Sequence, residues 1–259
     1  MMLYVFLSHD VDWPRQGPSI NHIMERKERF DPIFWNELET KNLYYNTPEI
    51  MEIEEKFGVK STFFYRTKYE NGDFLDYEDD IKTLQNGGWE IGLHSDPNSI
   101  NNFESLKMEK NSLENLTKKP VSGNRVHYLA FNNNLPEKLS NLGFVYDSTV
   151  KKSKDQILKE DMGYFETNNI LEFPLTIMDA YLFTYMKISE NQIINLFEDV
   201  INKIRKCNYE SNVITVNWHD NVLRMKGGRM YKKIIEFLAN QKDVKILRGI
   251  DIVEKIKAK

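Results

Sequence analysis

The sequence predicts one α/β domain, residues 1–259, built as a closed or nearly closed barrel of mainly parallel strands. Three observations carry that expectation. Short β-type runs alternate with amphipathic helical stretches along the whole chain, a pattern that implies βαβ units with right-handed crossovers. Seven or eight such units fit into the 259 residues, a usual size for a single barrel domain. Histidine-bearing polar clusters stand at or after four of the strand candidates, where folds of this class keep their reactive groups.

Taken in order, the strand candidates are Tyr4 to Leu7, Ser61 to Tyr65, Glu90 to Leu93, Val121 to Val126, Phe144 to Tyr146, Leu171 to Phe173, Val213 to Trp218 and Lys245 to Leu247. The first is the tail of the apolar run from Met1 to Leu7. That run is short, lacks a preceding basic region and leads directly into Ser8-His9-Asp10, so it reads as a strand and not as a signal peptide. Amphipathic helical patterns follow at Pro48 to Phe57, Asp80 to Gln85, Phe103 to Thr117, Pro136 to Leu142, Glu190 to Lys206 and Arg229 to Asn240, and Ile250 to Lys257 closes the chain. Two stretches, Asp12 to Thr47 and Lys151 to Asn169, are too long for simple connections and are expected to be excursions that reach substrate.

Composition narrows the function. A hydrophobic fraction of 41% and a charged fraction of 29% are those of an ordinary globule. The net charge of −4 argues against a nucleic-acid or anionic-membrane binder. The single cysteine, Cys207, can form no internal disulfide and lies in a helical pattern as a structural thiol. No apolar run approaches the ~18 residues of a membrane span. A cytoplasmic protein without membrane insertion is the expectation.

The chemistry sits in four clusters. In Ser8-His9-Asp10-Val11-Asp12 the carboxylates at i and i+2 share one face of an extended chain. Like charges so close need a cation between them or a shared proton. Glu90-Ile91-Gly92-Leu93-His94-Ser95-Asp96-Pro97-Asn98 places a histidine at a strand end. Arg125-Val126-His127-Tyr128 puts Arg125 and His127 on one face, with Arg125 suited to hold Asp10 ionised. Asn217-Trp218-His219-Asp220-Asn221 offers a histidine as general acid beside a carboxylate.

Asp10-Val11-Asp12, Ser61-Thr62-Phe63-Phe64, Glu90 to Ser95, Arg125 to Tyr128 and Trp218-His219 occur in the order and approximate spacing of the NodB-homology polysaccharide deacetylases, a superfamily similar to carbohydrate esterase family 4. Tyr146-Asp147-Ser148-Thr149 and Glu172-Phe173-Pro174-Leu175 resemble a bacterial branch with an Asp-x-Asp first motif. The resemblance covers about Tyr4 to Asn221. It implies a distorted (β/α) barrel of seven or eight units and a divalent metal, zinc above others. It further implies Asp10 as catalytic base, Asp12 and His94 as metal ligands, Arg125 as partner of the base, the Tyr128 N–H as oxyanion donor and His219 as general acid. The sequence departs from that pattern at Asn98, where a second motif histidine is expected, and at His127, where proline is usual. An amide is a poor zinc ligand beside imidazole, so His127 is the expected third ligand, with Asn98 as the alternative.

The implied activity is removal of an N-acetyl group from an amino sugar, in the biosynthesis of a surface polysaccharide such as an O-antigen or capsule. The substrate expected is an N-acetylated sugar, nucleotide-linked, lipid-linked or an oligosaccharide. Trp218, Trp13, Glu172 and Asp179 are candidate substrate-binding residues, with Tyr65 a further stacking candidate. Two rivals stand beside this reading. One is a haloacid-dehalogenase-like phosphatase with Asp10 as nucleophile, and the other a catalytically degenerate barrel that binds glycans.

Overall fold

The structure is a computed structural model that describes residues 2–207 and 212–258. Its strands are β1 Leu3–Val11, β2 Thr62–Tyr65, β3 Glu90–Ser95, β4 Gly123–Val126, β5 Tyr146–Asp147, β6 Phe165–Thr167, β7 Ile170–Glu172, β8 Leu175–Met178, β9 Asn212–Asn217 and β10 Val244–Leu247. Its helices are α1 Ile20–Met24, α2 Thr47–Lys56, α3 Glu78–Asn86, α4 Phe103–Thr117, α5 Leu135–Asn141, α6 Asp179–Thr184, α7 Ile193–Arg205, α8 Tyr231–Ala239 and α9 Gly249–Lys257. Every strand and helix expected from the sequence is present, α4 with the expected bounds and the others with shifted ends. The elements not anticipated are β6, β8, α1 and α6. β1 also runs on to Val11, so Ser8, His9 and Asp10 lie within it and not beyond it.

Hydrogen-bonded neighbours follow the order β6-β7-β5-β4-β3-β2-β1-β9-β8, with β10 paired to the first half of β1. All pairings are parallel except β6 with β7. The sheet curls into a distorted barrel left open between its edge strands, β6 and β8. In that order β7 and β8 are not neighbours, although only Phe173 and Pro174 separate them in sequence.

Side chains of β1 alternate between two environments, as a period of two requires. Leu3, Val5, Leu7 and Val11 enter the core between sheet and helices. Phe6 points inward and packs with Phe64, Tyr146, Leu171, Phe173 and Val213, while Ile252 and Val253 of α9 plug this end of the barrel. Each fully buried aromatic here contributes roughly 1.5–3 kcal/mol. The plug leaves no room for side chains on its rim: a Cβ at Gly92 would stand 2.5 Å from the Phe64 ring, and one at Gly123 2.1 Å from the Tyr146 ring.

His9 belongs to the outward set. Its Nε2 meets the Glu54 carboxylate at 2.8 Å and its Nδ1 the Trp218 carbonyl at 2.5 Å. Glu54, fully buried on α2, also accepts from Tyr231 Oη at 2.5 Å, Ser61 Oγ at 2.9 Å and Trp89 Nε1 at 2.6 Å. One carboxylate thus ties α2 and α8 to β1, and losing it strands several buried donors. Glu54→Ala should lower stability by about 3–5 kcal/mol in urea unfolding, and Glu54→Gln by clearly less. A shift for Glu54→Ala below ~1 kcal/mol would show that the helices are seated by packing alone.

Candidate active site

Beyond the aromatic plug the barrel interior becomes polar, one layer for each inward residue of β1. Ser8 comes first. Its Oγ accepts from Arg125 Nη1 at 2.9 Å, and the same nitrogen reaches Asp10 Oδ1 at 2.8 Å. Arg125 is fully buried; its Nε donates to the Ser148 carbonyl and its Nη2 to Ser148 Oγ, both at 2.9 Å, above the Phe64 ring at 4.4 Å. The other Asp10 oxygen accepts from Asn217 Nδ2 at 2.7 Å. Burial opposes ionisation of Asp10, but the charge of Arg125, together with those of His94 and His219, outweighs it and holds the carboxyl below its ordinary range.

One residue pair further up, Asp12 meets two histidines. Asp12 Oδ1 stands 3.1 Å from His94 Nε2 and 3.2 Å from His127 Nδ1, and the two ring nitrogens are 3.1 Å apart. These separations suit a shared metal ion. Bonds of ~2.0–2.1 Å to one tetrahedral ion place neighbouring donors about 3.3 Å apart, close to what all three separations show. The tautomer agrees: His94 Nδ1 donates to the Arg125 carbonyl at 2.9 Å. A neutral His94 therefore turns a bare Nε2 lone pair toward the other two donors. Among the described residues this is the group of histidine, cysteine and acidic side chains close enough to share an ion. Burial works against the Asp12 charge, yet the adjoining imidazoles of His127, His94 and His219 keep its carboxyl well below the usual range.

His219, just past β9, completes the mouth. Its Nδ1 pairs with Asp179 Oδ1 at 2.6 Å and its backbone N–H with Asp179 Oδ2 at 3.1 Å, leaving Nε2 3.5 Å from Asp12 Oδ2. Burial disfavours the imidazolium, but Asp179, then Asp12 and Asp10, push its pKa up to about 10. Asp220 beside it is buried, and that burial with the Asp12 charge drives its carboxyl well up. Tyr128, whose ring is exposed and stacks on His127 at 3.8 Å, has φ of +59° and Leu129 has +54°. Left-handed backbone at non-glycine residues costs of order 1–3 kcal/mol each and clusters at functional sites.

The structure thus gathers Asp10, Asp12, His94, Arg125, His127, Asp179 and His219, with Tyr128 on the rim. Others it places elsewhere. Asn98 is exposed, and no hydrogen bond among the described residues joins its side chain to Asp12, His94 or His127. Trp218 is fully buried, its Nε1 donating to the Gly228 carbonyl at 3.1 Å, and Tyr65 is equally buried against Tyr77. Glu172 faces outward from the barrel and accepts the backbone N–H groups of Thr149 and Val150 at 3.1 and 2.8 Å. Trp13 does line a cavity at the mouth, packed on His22 and Tyr44. Asn217, Ser8 and Ser148 were missed from sequence. The signal was present for Asn217, which lies two positions before His219 on the same strand face.

No protein-family model matches the chain, and no curated protein matches it by sequence. Solved structures do. One assigned as a polysaccharide deacetylase from Mycobacterium smegmatis is 18% identical with a TM-score of 0.69, covering 99% of this chain and 91% of that one. Puue allantoinase is 15% identical at a TM-score of 0.69, covering 99% and 90%. The Xyl-CE4 domain of a xylanase from the hindgut metagenome of Trinervitermes trinervoides is 15% identical at 0.56, covering 99% and 92%. At such identities the likeness is one of fold, and the fold is the distorted barrel of the NodB-homology polysaccharide deacetylases.

Proposed function

We propose that the chain is a metal-dependent N-deacetylase acting on an acetylated amino sugar. One observation carries the reading: an arginine-clamped carboxylate, a three-donor group and an aspartate-backed histidine converge on one barrel mouth. A divalent ion, zinc best suited to one carboxylate and two imidazoles, would be held by Asp12, His94 and His127 and would supply Lewis-acid activation of carbonyl and water.

The chain's own groups then divide the proton chemistry. Asp10, kept anionic by Arg125, takes a proton from the attacking water. The Tyr128 N–H meets the oxyanion that forms on the acetyl carbonyl. His219 Nε2 gives its proton to the sugar nitrogen as the C–N bond breaks, while Asp179 fixes Nδ1 as a donor and stabilises the cation. Acetate and a free amine result. The cavity beside His219, about 480 Å³, has the size of a small-ligand site. That favours one or two sugar units, such as a building block of an O-antigen or capsule, over a long polymer. The phosphatase alternative leaves the three histidines at the mouth without a role.

Three expected outcomes follow from these assignments. Asp10→Asn should keep the fold and bound metal but lower turnover by about 10²- to 10⁴-fold; loss of metal with activity rescued on resupply would interchange the roles of Asp10 and Asp12. His127→Ala should cut metal retention on dialysis by about 100-fold or more, Asn98→Ala by less than about threefold, read by elemental analysis. Strong loss in Asn98→Ala alone would mean that the amide is the ligand. His219→Ala and Asp179→Asn should slow acetamide hydrolysis by about 10²-fold or more, yet activated phenyl acetates far less, because a phenolate leaves without a proton. Equal losses on both substrates would make His219 a positioning residue.

A further inference from the structure

We propose that the cavity beside His219 binds a phosphate group carried by the sugar, on a cationic wall formed by Arg26, Arg29 and Lys226. This deepens the amino-sugar reading and rests on it for what enters the cavity. Asp12 and His219 line the cavity, and so do Trp13, Tyr44 and Phe183, which offer apolar faces to a sugar ring. Arg26, Arg29 and Lys226 line it too. These three are held together by backbone bonds, Arg29 N–H to the Arg26 carbonyl at 2.9 Å and Lys226 N–H to the Arg29 carbonyl at 2.8 Å.

The charge count at this wall does not balance. Asp12 and Asp179 are occupied by histidines, which leaves Glu28 as the carboxylate lining the cavity without such a partner. Among the described residues Arg29 forms no ion pair, and Lys226 Nζ donates to the Glu28 carbonyl, at 3.0 Å, and to no carboxylate. Arg26 touches Glu25 at 3.0 Å, but Glu25 is 71% exposed and such a pair is weak. The fields of both arginines reach into the cavity: after burial, they are the main causes that lower the pKa of His22, another lining residue. A local excess of cations in a protein of net charge −4 marks an anion site, not a basic surface. Two guanidinium forks and an ammonium suit the several oxygens of a phosphate better than the two of a carboxylate. The ligand class is therefore an acetamido sugar joined to phosphate, whether as sugar phosphate, nucleotide-linked or lipid-diphosphate-linked.

Calorimetry on the full chain with N-acetylglucosamine, its 1-phosphate and its UDP-linked form tests this. The phosphorylated probes should bind at least about 30-fold more tightly than the neutral sugar at low salt, the advantage shrinking as salt rises. Arg29→Gln, whose side chain holds no other element, should reduce that ratio about tenfold, and Arg26→Gln/Arg29→Gln about 100-fold, the loss of one or two charge-assisted hydrogen bonds. Equal wild-type affinities, or a ratio unmoved in Arg29→Gln with the melting profile intact, would overturn the assignment. Acetate assays separate it from the catalytic reading. Release from neither sugar with the ratio intact refutes deacetylation and supports this site, whereas release without phosphate preference does the reverse.

Discussion

A guanidinium inside a barrel must be answered by a carboxylate and by acceptors for its remaining N–H groups, and the site is arranged around how Arg125 is answered. Moving such an ion from water into a dry interior costs several kcal/mol even after relaxation. Ser8, Asp10 and both Ser148 oxygens meet that cost with four hydrogen bonds, and the Phe64 face lies beneath. Three strands, β1, β4 and the end of β5, are thereby fixed to one another at the level of Asp10. The arrangement is reciprocal: without Arg125, Asp10 would be a carboxylate buried in the barrel without its closest counter-charge.

The same strand serves the next layer. The Arg125 carbonyl sets the tautomer of His94, so the residue that clamps Asp10 also aims an imidazole at Asp12. Support comes from outside the barrel as well. Asn124 Nδ2 donates to Asp147, and Thr149 Oγ1 both donates to Asp147 and accepts the Val126 N–H. Burial pushes the Asp147 and Glu172 carboxyls up, Glu172 the further because Asp147 stands beside it. Glu172 thus holds the 148–150 turn that presents Ser148 to Arg125, a task two steps from any substrate.

The legible part of this protein is what obeys strand parity. Alternation of runs located the strands, and the i, i+2 relation put Asp10 with Asp12 and Arg125 with His127 on shared faces, as found. Where β1 ends could not be read, because Ser8, His9 and Asp10 are polar yet buried inside it; only partners distant in sequence, Arg125, Glu54 and Asn217, make that burial tolerable. Trp218 misled for a related reason. Adjacent to His219 in sequence, it points to the opposite side and packs against Phe183 and Tyr231. The Asp179 to His219 pairing was out of reach, since β8 and α6, which deliver Asp179, carry no periodic signal of their own.

A barrel of this kind fixes where a base, an acid and a ligand group stand, because each is anchored at a strand end against its neighbours. It does not fix what approaches them. In this chain the 12–46 excursion places Trp13, His22, Arg26, Arg29 and Tyr44 along one cavity with His219. The excursion is seated by its own small core of Ile23, Phe30, Leu38, Leu43 and Tyr44 against Met225. It is also tied down at Asp220, whose carbonyl accepts from Asn46 Nδ2 at 3.0 Å. Those contacts all run to the loop that follows His219. The proposed phosphate wall and His219 are therefore built on one scaffold, so a change in either loop alters the geometry of both.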